Sequence, residues 1–446
     1  MAGSDTSIEA ALPPGVITSL GMPRWISLAP LVPLLALLNG PESTAQTKRP
    51  AGVTVLYAAA GAELAWYDID VNKGVLNRRG SVMLPANVQE AWKHPSKDFL
   101  YVAWSDGGAS YSGGSGAGPA GNQHGVSAYR IDRTTGALTP HGIPALLPSR
   151  PIYITTDLDG THVITAHNAP SGLTVHRILP DGALGDDVPQ NSDLAFGIYG
   201  HQVRVDPSNR TVILVTRGNG PTATNPEDPG AIRIFNYKDG VLSPRQIVAP
   251  NGGFDYQVRH LEFHPSGKWD YVDLERQNKL EVYRRSADGA MSETPIFTKD
   301  TLADHSKAES QTASSIHVHP NGKFIYVANR SSATVEFEGR RVSNGGENTI
   351  AVFSVNQETG EPTLIQSVDT RGFTPRTFAL DAGGRILVVA NQSPGLVRDD
   401  SRVATVPPRL TVFRIASNGK LEFASQQDVD PGGGRLLFWA GIVSLP

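Results

Sequence analysis

The sequence predicts an all-β fold, a seven-bladed β-propeller built from four-stranded antiparallel blades. Three observations favour it. The chain of 446 residues contains 46 glycines and 33 prolines, a composition that favours many turns over long helices. A strand–turn–strand unit recurs six times, and the two ends of the chain carry incomplete units that complement each other. An open β-array or a pair of sandwiches is the alternative that this pattern leaves.

The N-terminal segment is interpreted as a leader. Residues 1–45 are set apart from the fold, and residues 22–45 resemble a secretory signal, because an apolar stretch follows Arg24 and small residues precede a possible cleavage site after Ala45. The stretch is too short and too rich in proline for a stable membrane span. We therefore expect one propeller domain over 46–446. It is exported, to the periplasm or the medium, if the signal is real, and cytoplasmic if the segment is only an apolar tail.

The repeated unit is clearest in RHLEFHPSGKWDYVDLE, which begins at Arg259, and in SSIHVHPNGKFIYVANRSS, which begins at Ser314. Apolar alternation with β-branched and aromatic residues predicts strands, and the Pro, Ser, Gly or Asn that follow the turn-opening residue predict a tight turn. The average spacing of the turns, about 57 residues, exceeds the usual propeller period of roughly 40 to 50, so we expect inserted loops. The six turn-opening residues are His94, Asp157, Asp206, His264, His319 and Asp381.

The ends of the chain predict how the ring closes. The segment from Val53 contains three strands and lacks the first strand of a blade, whereas RLLFWAGIV, from Arg435, is one isolated apolar strand. Pairing the two completes a seventh blade and removes the exposed sheet edges of an open array.

Strand register predicts where chemistry can occur. The first strand of each blade lines the central channel, and its start lies beside the end of the second strand on one rim. We therefore expect two rings of residues, five before and eleven after each turn, to converge with His317 on the mouth of the channel. The first ring is Gln89, Ile152, His201, Arg259, Ser314 and Arg376; the second is Ser105, Asn168, Arg217, Glu275, Arg330 and Gln392.

The residue types in these rings suit an anionic, oxygen-rich small molecule. Arginine forks bind carboxylate or phosphate, and a histidine or glutamate among them can act as acid or base. Hydrolysis of an ester or lactone needs a clamp on the carbonyl, a base for water and donors for the oxyanion. The structural alternatives are an ion pair between Arg259 and Glu275 and a hydrogen-bonded channel histidine at His201. The turn residues His264 and His319 are expected to be structural.

Composition excludes several classes of partner and cofactor. The 39 basic and 43 acidic residues give a net charge of −4, which argues against nucleic acid. With no cysteine, thiolate, zinc–thiolate and iron–sulfur chemistry are excluded. No nucleotide-binding glycine motif follows a strand, and the loop carboxylates lack the spacing of a calcium site. We expect neither a cofactor nor a metal.

The repeats RHLEFHPSGKWDYVDLE, IHVHPNGKFIYVANR and TPRTFALDAGGRILVVANQ resemble the seven-bladed propeller lactonase family, which includes bacterial-type 6-phosphogluconolactonases and fungal carboxymuconate cyclases. The resemblance covers roughly 53–446. It implies that His201, Arg259 and Glu275 form the catalytic group. Two departures affect the substrate: the family's His-x-His reads Tyr199-Gly200-His201 here, and the strand that usually ends with an acidic residue and glycine ends with Arg217-Gly218.

The resemblance implies a metal-independent lactonase that hydrolyses a sugar-acid-type lactone at the channel mouth. Arg259 and Arg376 would orient the substrate, His201 or Glu275 would activate water, and Arg330 or another rim donor would stabilise the oxyanion. If the protein is exported, an unphosphorylated lactone is favoured. A carboxy-cis,cis-muconate cyclase-type isomerase and a non-catalytic exported propeller with YVTN-like repeats are the alternatives. The predicted substrate-binding residues are Arg217, His317, Arg330, Arg376 and Gln392.

Overall fold

The structure is a computed structural model of the 446-residue chain, and its compact propeller body comprises Ala51–Pro446. It describes residues 53–108, 120–400, 402–430, 432 and 435–445. The predicted leader, 1–45, and the predicted signal, 22–45, lie outside the described residues. No helix in the described part is long and apolar enough to cross a membrane.

Seven four-stranded antiparallel sheets make up the body, which confirms the predicted propeller. The strands are numbered in chain order. Blade 1 begins with β1 (Thr54–Ala60), β2 (Glu63–Asp70) and β3 (Val75–Met83). Blade 2 contains β4 (Asn87–Lys93), β5 (Phe99–Ser105), β6 (His124–Ile131) and β7 (Leu138–Leu146). Blade 3 contains β8 (Pro151–Thr156), β9 (His162–Asn168), β10 (Ser171–Ile178) and β11 (Leu184–Asp187).

The next two blades follow the same order. Blade 4 contains β12 (Gly200–Val205), β13 (Thr211–Thr216), β14 (Ala231–Lys238) and β15 (Val241–Val248). Blade 5 contains β16 (Val258–Phe263), β17 (Trp269–Leu274), β18 (Lys279–Arg284) and β19 (Phe297–Asp300). Two short 3-10 helices lie in the connections, Pro250–Gly253 and His305–Lys307.

The last two blades each carry an extra hairpin between their second and third strands. Blade 6 contains β20 (Gln311–Val318), β21 (Phe324–Ser331), the hairpin β22 (Thr334–Phe337) and β23 (Arg340–Ser343), then β24 (Thr349–Val355) and β25 (Pro362–Asp369). Blade 7 contains β26 (Phe373–Leu380), β27 (Ile386–Ser393), the hairpin β28 (Gly395–Asp399) and β29 (Arg402–Val406), then β30 (Arg409–Ile415) and β31 (Leu421–Asp428). Both hairpins are insertions into the four-stranded unit.

Ring closure follows the prediction. The C-terminal strand β32 (Leu437–Ser444) pairs antiparallel with β1 and becomes the innermost strand of blade 1. Both strands are largely buried, with β1 buried throughout. The first and last strands of the propeller thus share one sheet, and neither leaves an open edge toward the channel.

The turn histidines join neighbouring blades. In blade 5 the His264 Nδ1 accepts the Ser266 backbone N–H at 3.1 Å, so Nε2 carries the proton and donates to the Gly322 carbonyl of blade 6 at 2.9 Å. His94 and His319 make the equivalent bonds to Gly160 and Gly384. A Cβ on Gly384, which has φ +62, would lie 2.2 Å from the His319 Nε2. These contacts agree with the expected structural role of His264 and His319.

Each innermost strand is interrupted near its start by a β-bulge. The register shifts between Val258 and His260 in blade 5, which leaves Arg259 as the extra residue, and the same shift occurs in every other blade. A bulge redirects the extra side chain and ends regular pairing. In blades 2 to 7 the bulges fall on the ring five residues before the turn, at the rim where the second strands end.

Candidate active site at the channel mouth

The bulged residues form the predicted first ring at the channel mouth. Its seventh member, from blade 1, is Phe438, which occupies the bulge opposite Ala59 and Ala60. Sequence reasoning missed Phe438 because the C-terminal strand is followed by no turn of the repeated type. Phe438 could have been found from the sequence by aligning RLLFWAGIV, residue by residue, with the first strands of the other blades.

Glu275 is the centre of an arginine cluster. It directly follows β17 and is 6% exposed. Its Oε2 accepts from the Arg217 Nη1 at 2.7 Å, its Oε1 accepts from the Arg330 Nη2, and the Arg259 Nε lies 3.2 Å from Oε1. The structure therefore brings together four residues of the two predicted rings, from blades 4, 5 and 6.

The electrostatic environment of Glu275 decides what it can do. Although burial raises the pKa of this carboxyl, the guanidinium groups of Arg217, Arg330 and Arg259 hold its pKa far below the usual range. Both oxygens of Glu275 are already engaged by guanidinium groups, so this carboxylate is poorly placed to accept a proton from water. Glu275 is thus suited to positioning the arginines rather than to activating water.

His201 has the opposite character. Its ring is 5% exposed, and its Nδ1 has no hydrogen-bond partner among the described residues. Burial, followed by the charges of Arg259 and neighbouring groups, lowers the pKa of His201 well below its ordinary value. The imidazole is therefore neutral at physiological pH and keeps a lone pair that can accept a proton or a hydrogen bond. The ring of His260 packs edge-on against it, with centroids 4.9 Å apart.

Arg376 faces the same mouth from blade 7. Its guanidinium carbon lies 3.9 Å from the centre of the Phe438 ring, and its Nε has no hydrogen-bond partner among the described residues. Burial and then repulsion from Arg259, Arg330 and Arg150 lower the pKa of Arg376 well below its ordinary value. Arg376 thus adds a positive charge that the cluster leaves poorly compensated.

Arg150 was missed in the sequence. It precedes β8, and its Nε and Nη2 donate to the Gln89 Oε1 at 3.0 and 2.8 Å. The ring residue of blade 3 is the apolar Ile152, and the charge of that blade comes instead from the residue two positions earlier. In the sequence, Arg150 stands just before an apolar strand. Counting five residues back from the turn selects Ile152 and therefore passes over this arginine.

The mouth cluster has an excess of positive charge. Arg150, Arg217, Arg259, Arg330 and Arg376 are opposed at its centre by one ionised carboxylate, Glu275. Asp273 does not alter this balance, because burial raises its pKa to about 8 and keeps the carboxyl protonated at neutral pH. The centre of the mouth is therefore an anion-binding environment.

The remaining predicted residues divide between two places. Gln392 lies in the second ring, is 1% exposed, and neither its Oε1 nor its Nε2 has a hydrogen-bond partner among the described residues. His317 was predicted at the mouth, and that placement is wrong. It lies three residues beyond Ser314, or about 10 Å along an extended strand, and its Nδ1 is 3.2 Å from the Glu262 Oε1 inside the channel.

Tyr199 stands where the family pattern has a histidine, and it belongs to the mouth. Its φ of 57° is unusual for a residue with a side chain. Its ring lies under the Arg217 guanidinium at 4.0 Å and stacks at 6.5 Å on His201. Tyr199 therefore holds Arg217 beside the histidine, a function that the motif comparison alone did not suggest.

Two cavities open on this rim. One of about 600 Å³ is lined by Arg217, Glu275 and Arg276, with Glu309 at its edge. The other, of about 500 Å³, contains Asn168, Tyr199 and Asp228. Both lie within the size range of small-molecule sites. In the described ranges no three histidine, aspartate or glutamate side chains are grouped so as to hold a metal ion.

Comparison with known proteins gives a consistent result. Residues 51–402 match the family described as "Lactonase, 7-bladed beta-propeller". A 6-phosphogluconolactonase of Bacillus subtilis is 29% identical over 304 residues, covering 65% of this chain and 78% of that protein. The 6-phosphogluconolactonase of Serratia proteamaculans is 27% identical over 324 residues, covering 72% and 83%.

Solved structures share the fold. A periplasmic gluconolactonase of Pseudomonas aeruginosa superposes with a TM-score of 0.62 at 20% identity, covering 88% of this chain and 100% of that one. A putative 6-phosphogluconolactonase of Bacteroides fragilis gives 0.61 at 20% identity, covering 91% and 100%. At these identities the likeness concerns the propeller architecture.

Proposed function

Because the chain belongs to the seven-bladed β-propeller lactonase family, we propose that it hydrolyses the lactone of a sugar acid at the channel mouth. The lactone-hydrolase class predicted from the sequence agrees with this membership. The proposal concerns the place, the residues and the substrate. His201, Arg259 and Glu275 form the reaction centre, and Arg217, Arg330, Arg376 and Gln392 bind the substrate.

The observation that carries the proposal is the clustering of arginines at the mouth. Arg217, Arg259 and Arg330 share the carboxylate of Glu275, and repulsion from Arg330 contributes, after burial, to lowering the pKa of Arg259 to about 10. An anionic ligand would relieve this repulsion. The hydroxy acid produced by lactone hydrolysis is an anion, and so is the tetrahedral intermediate that precedes it.

The geometry suggests a division of roles. Water attacks the lactone carbonyl while the neutral His201 accepts its proton, and negative charge develops on the carbonyl oxygen, where Arg259 and Arg330 can stabilise it. The ring C–O bond then breaks, and the proton returns to the leaving oxygen, giving an open hydroxy acid. Glu275 holds the arginines in place throughout. No step uses a metal ion.

The substrate remains to be chosen between phosphorylated and unphosphorylated lactones. The relatives are named for a phosphorylated substrate, whereas the signal-like residues 22–45 favour export and an unphosphorylated lactone of carbohydrate metabolism. We propose export and the unphosphorylated substrate. Cell fractionation with N-terminal sequencing tests the export: an intact leader on a cytoplasmic protein overturns it.

The test of the proposed function is turnover of a panel of aldonolactones, phosphorylated and not, with carboxymuconate as the cyclisation substrate. We expect lactone hydrolysis to survive chelation and to fall by about 10²- to 10⁴-fold in His201→Gln and Arg259→Met. Arg79→Met is the matched control, because this arginine is exposed and pairs with Asp68. Activity that is undiminished in the mouth variants would overturn the site, and turnover of carboxymuconate alone would overturn the reaction.

A further inference from the structure

A second cavity, of about 490 Å³, lies inside the channel, and it is independent of the mouth. Its inner end is lined by the residues that directly follow the bulges, among them Glu90, Tyr153, Gln202, His260 and Trp439. Its outer end includes Pro320, Asp381 and other residues next to the turns between the first and second strands. Since those turns lie at the rim away from the bulges, the cavity opens on the face opposite the mouth. None of the bulged residues lines it.

Aromatic and aliphatic side chains share the walls of the cavity. Trp92, Tyr153, Phe378 and Trp439 come from four different blades. Trp92 and Tyr153 are in contact, with ring centroids 6.3 Å apart. Such rings offer flat apolar faces against which the C–H face of a ring-shaped ligand can pack, while their polar edges bind polar groups.

The polar groups of the cavity are oriented by partners behind them. His317 is 34% exposed, and its Nδ1 faces the Glu262 Oε1 at 3.2 Å. Glu262 in turn accepts from the Arg204 Nη1 at 2.7 Å, so it is ionised, and Arg204 and His317 lower its pKa to about 2. The Nδ1 of His317 therefore donates to Glu262, which fixes the ring and leaves Nε2 as the nitrogen that can bond a ligand.

Two further groups act as donors. Burial raises the pKa of Glu90 to about 8, so this carboxyl is mostly protonated at neutral pH. The Tyr153 hydroxyl oxygen accepts from the Gln202 Nε2 at 3.3 Å, which leaves its hydrogen available. The cavity thus offers several hydrogen-bonding groups, and the charges of Glu262 and Arg204 behind them are paired with each other.

We propose that this cavity binds an uncharged, hydroxylated ring of monosaccharide size. The proposal goes beyond the lactonase site and does not depend on it. Hydroxyl groups can hydrogen-bond with His317, Glu90 and Tyr153, while the aromatic rings pack against the ligand ring. The charged side chains that line the cavity already have partners: Asp381 pairs with Arg385, and the Lys93 ammonium donates to the His94 and Lys97 carbonyls.

The test is calorimetric titration of the full chain with D-glucose and D-xylose, in the presence of saturating inorganic phosphate to occupy the mouth. We expect saturable one-site binding, with a dissociation constant that rises at least about tenfold in His317→Leu and in Trp92→Ala. His305→Leu is the matched control, because His305 is 62% exposed on a 3-10 helix outside the cavity. Arg217→Met should bind the sugars like the wild type while losing lactonase activity.

Several outcomes would overturn the proposal: no saturable binding of either sugar, competition by phosphate, or an equal loss in His305→Leu. Stronger binding of phenol, choline or gluconate than of the neutral sugars would also overturn it, because each would show a different ligand class. If Trp92→Ala fails to fold, the dissociation constants of His317→Leu and His305→Leu for the sugars still test the proposal. Loss of lactonase activity in Arg217→Met with intact sugar binding separates the two sites.

Discussion

Replacing Glu275 by glutamine removes the one ionised carboxylate at the centre of the mouth cluster. The substitution keeps the size of the side chain and leaves Arg217, Arg259 and Arg330 without their shared counter-charge. Removing one partner of a buried ion pair costs about 3–5 kcal/mol, because the remaining charge stays buried. We expect a loss of that size, which is a large part of the total stability of about 5–15 kcal/mol that is typical of a folded protein.

The assay is urea unfolding of the wild type, of Glu275→Gln and of a matched control. Glu63→Gln is that control, because Glu63 pairs with Arg78 on the surface, where the side chains are 32% and 46% exposed; such pairs contribute about 0–1 kcal/mol. A loss in Glu275→Gln no larger than in the control would refute the reasoning, since it would show that the buried charges are not mutually dependent.

The pH dependence of the free energy of unfolding provides a second test of the Glu275 ion pairs. The folded pKa of Glu275 is depressed, so its contribution to stability is present above the unfolded value of about 4.3 and is lost as the pH falls through the acid range. The difference in free energy of unfolding between wild type and variant should therefore shrink below about pH 4. A difference that stays constant down to pH 2 would contradict the pairing.

Three further predictions follow from the geometry. Because the pKa of His201 is lowered well below 6.5, kcat/KM should stay level from about pH 6 to 8, and an inflection near 6.5 in the pH–rate profile would exclude it as the base. His264→Ala removes the hydrogen bond to the Gly322 carbonyl and should lower the free energy of unfolding by about 1–3 kcal/mol, as measured in urea. The control His305→Ala should lie within about 0.5 kcal/mol of the wild type. Equal losses in the two variants would show that the bond between blades 5 and 6 does not contribute to stability. Deleting the last twelve residues removes β32 and should give an aggregating or unfolded chain. Size-exclusion chromatography and circular dichroism measure this. A soluble monomer with native strand content would show that ring closure is dispensable.

The sequence was informative wherever a repeat supplied a landmark. Counting from the turns placed Arg259, Glu275, Arg330 and Gln392 in the rings at the mouth, because the bulge lies five residues before the turn in blades 2 to 7. His317 was not selected by this counting, which gives Ser314 in its blade, and it lies deeper in the channel because it is three residues further along the strand.

Other features depend on the folded structure. Phe438 has no landmark, and Arg150 reaches the mouth from outside the counted register. The role of Glu275 could not be read from its position, because its unsuitability as a base comes from three arginines that are distant along the chain and adjacent in space. The assignment of catalytic and substrate-binding roles remains a prediction.

The closing of blade 1 also bears on protein synthesis. The innermost strand of the first blade, β32, is translated after all the other strands of the propeller, although its partner β1 is translated before them. Phe438 under Arg376 and Trp439 in the opposite cavity belong to this strand. Neither the mouth nor the inner cavity is therefore complete on a chain that lacks this strand, so both sites depend on the same ring-closing step.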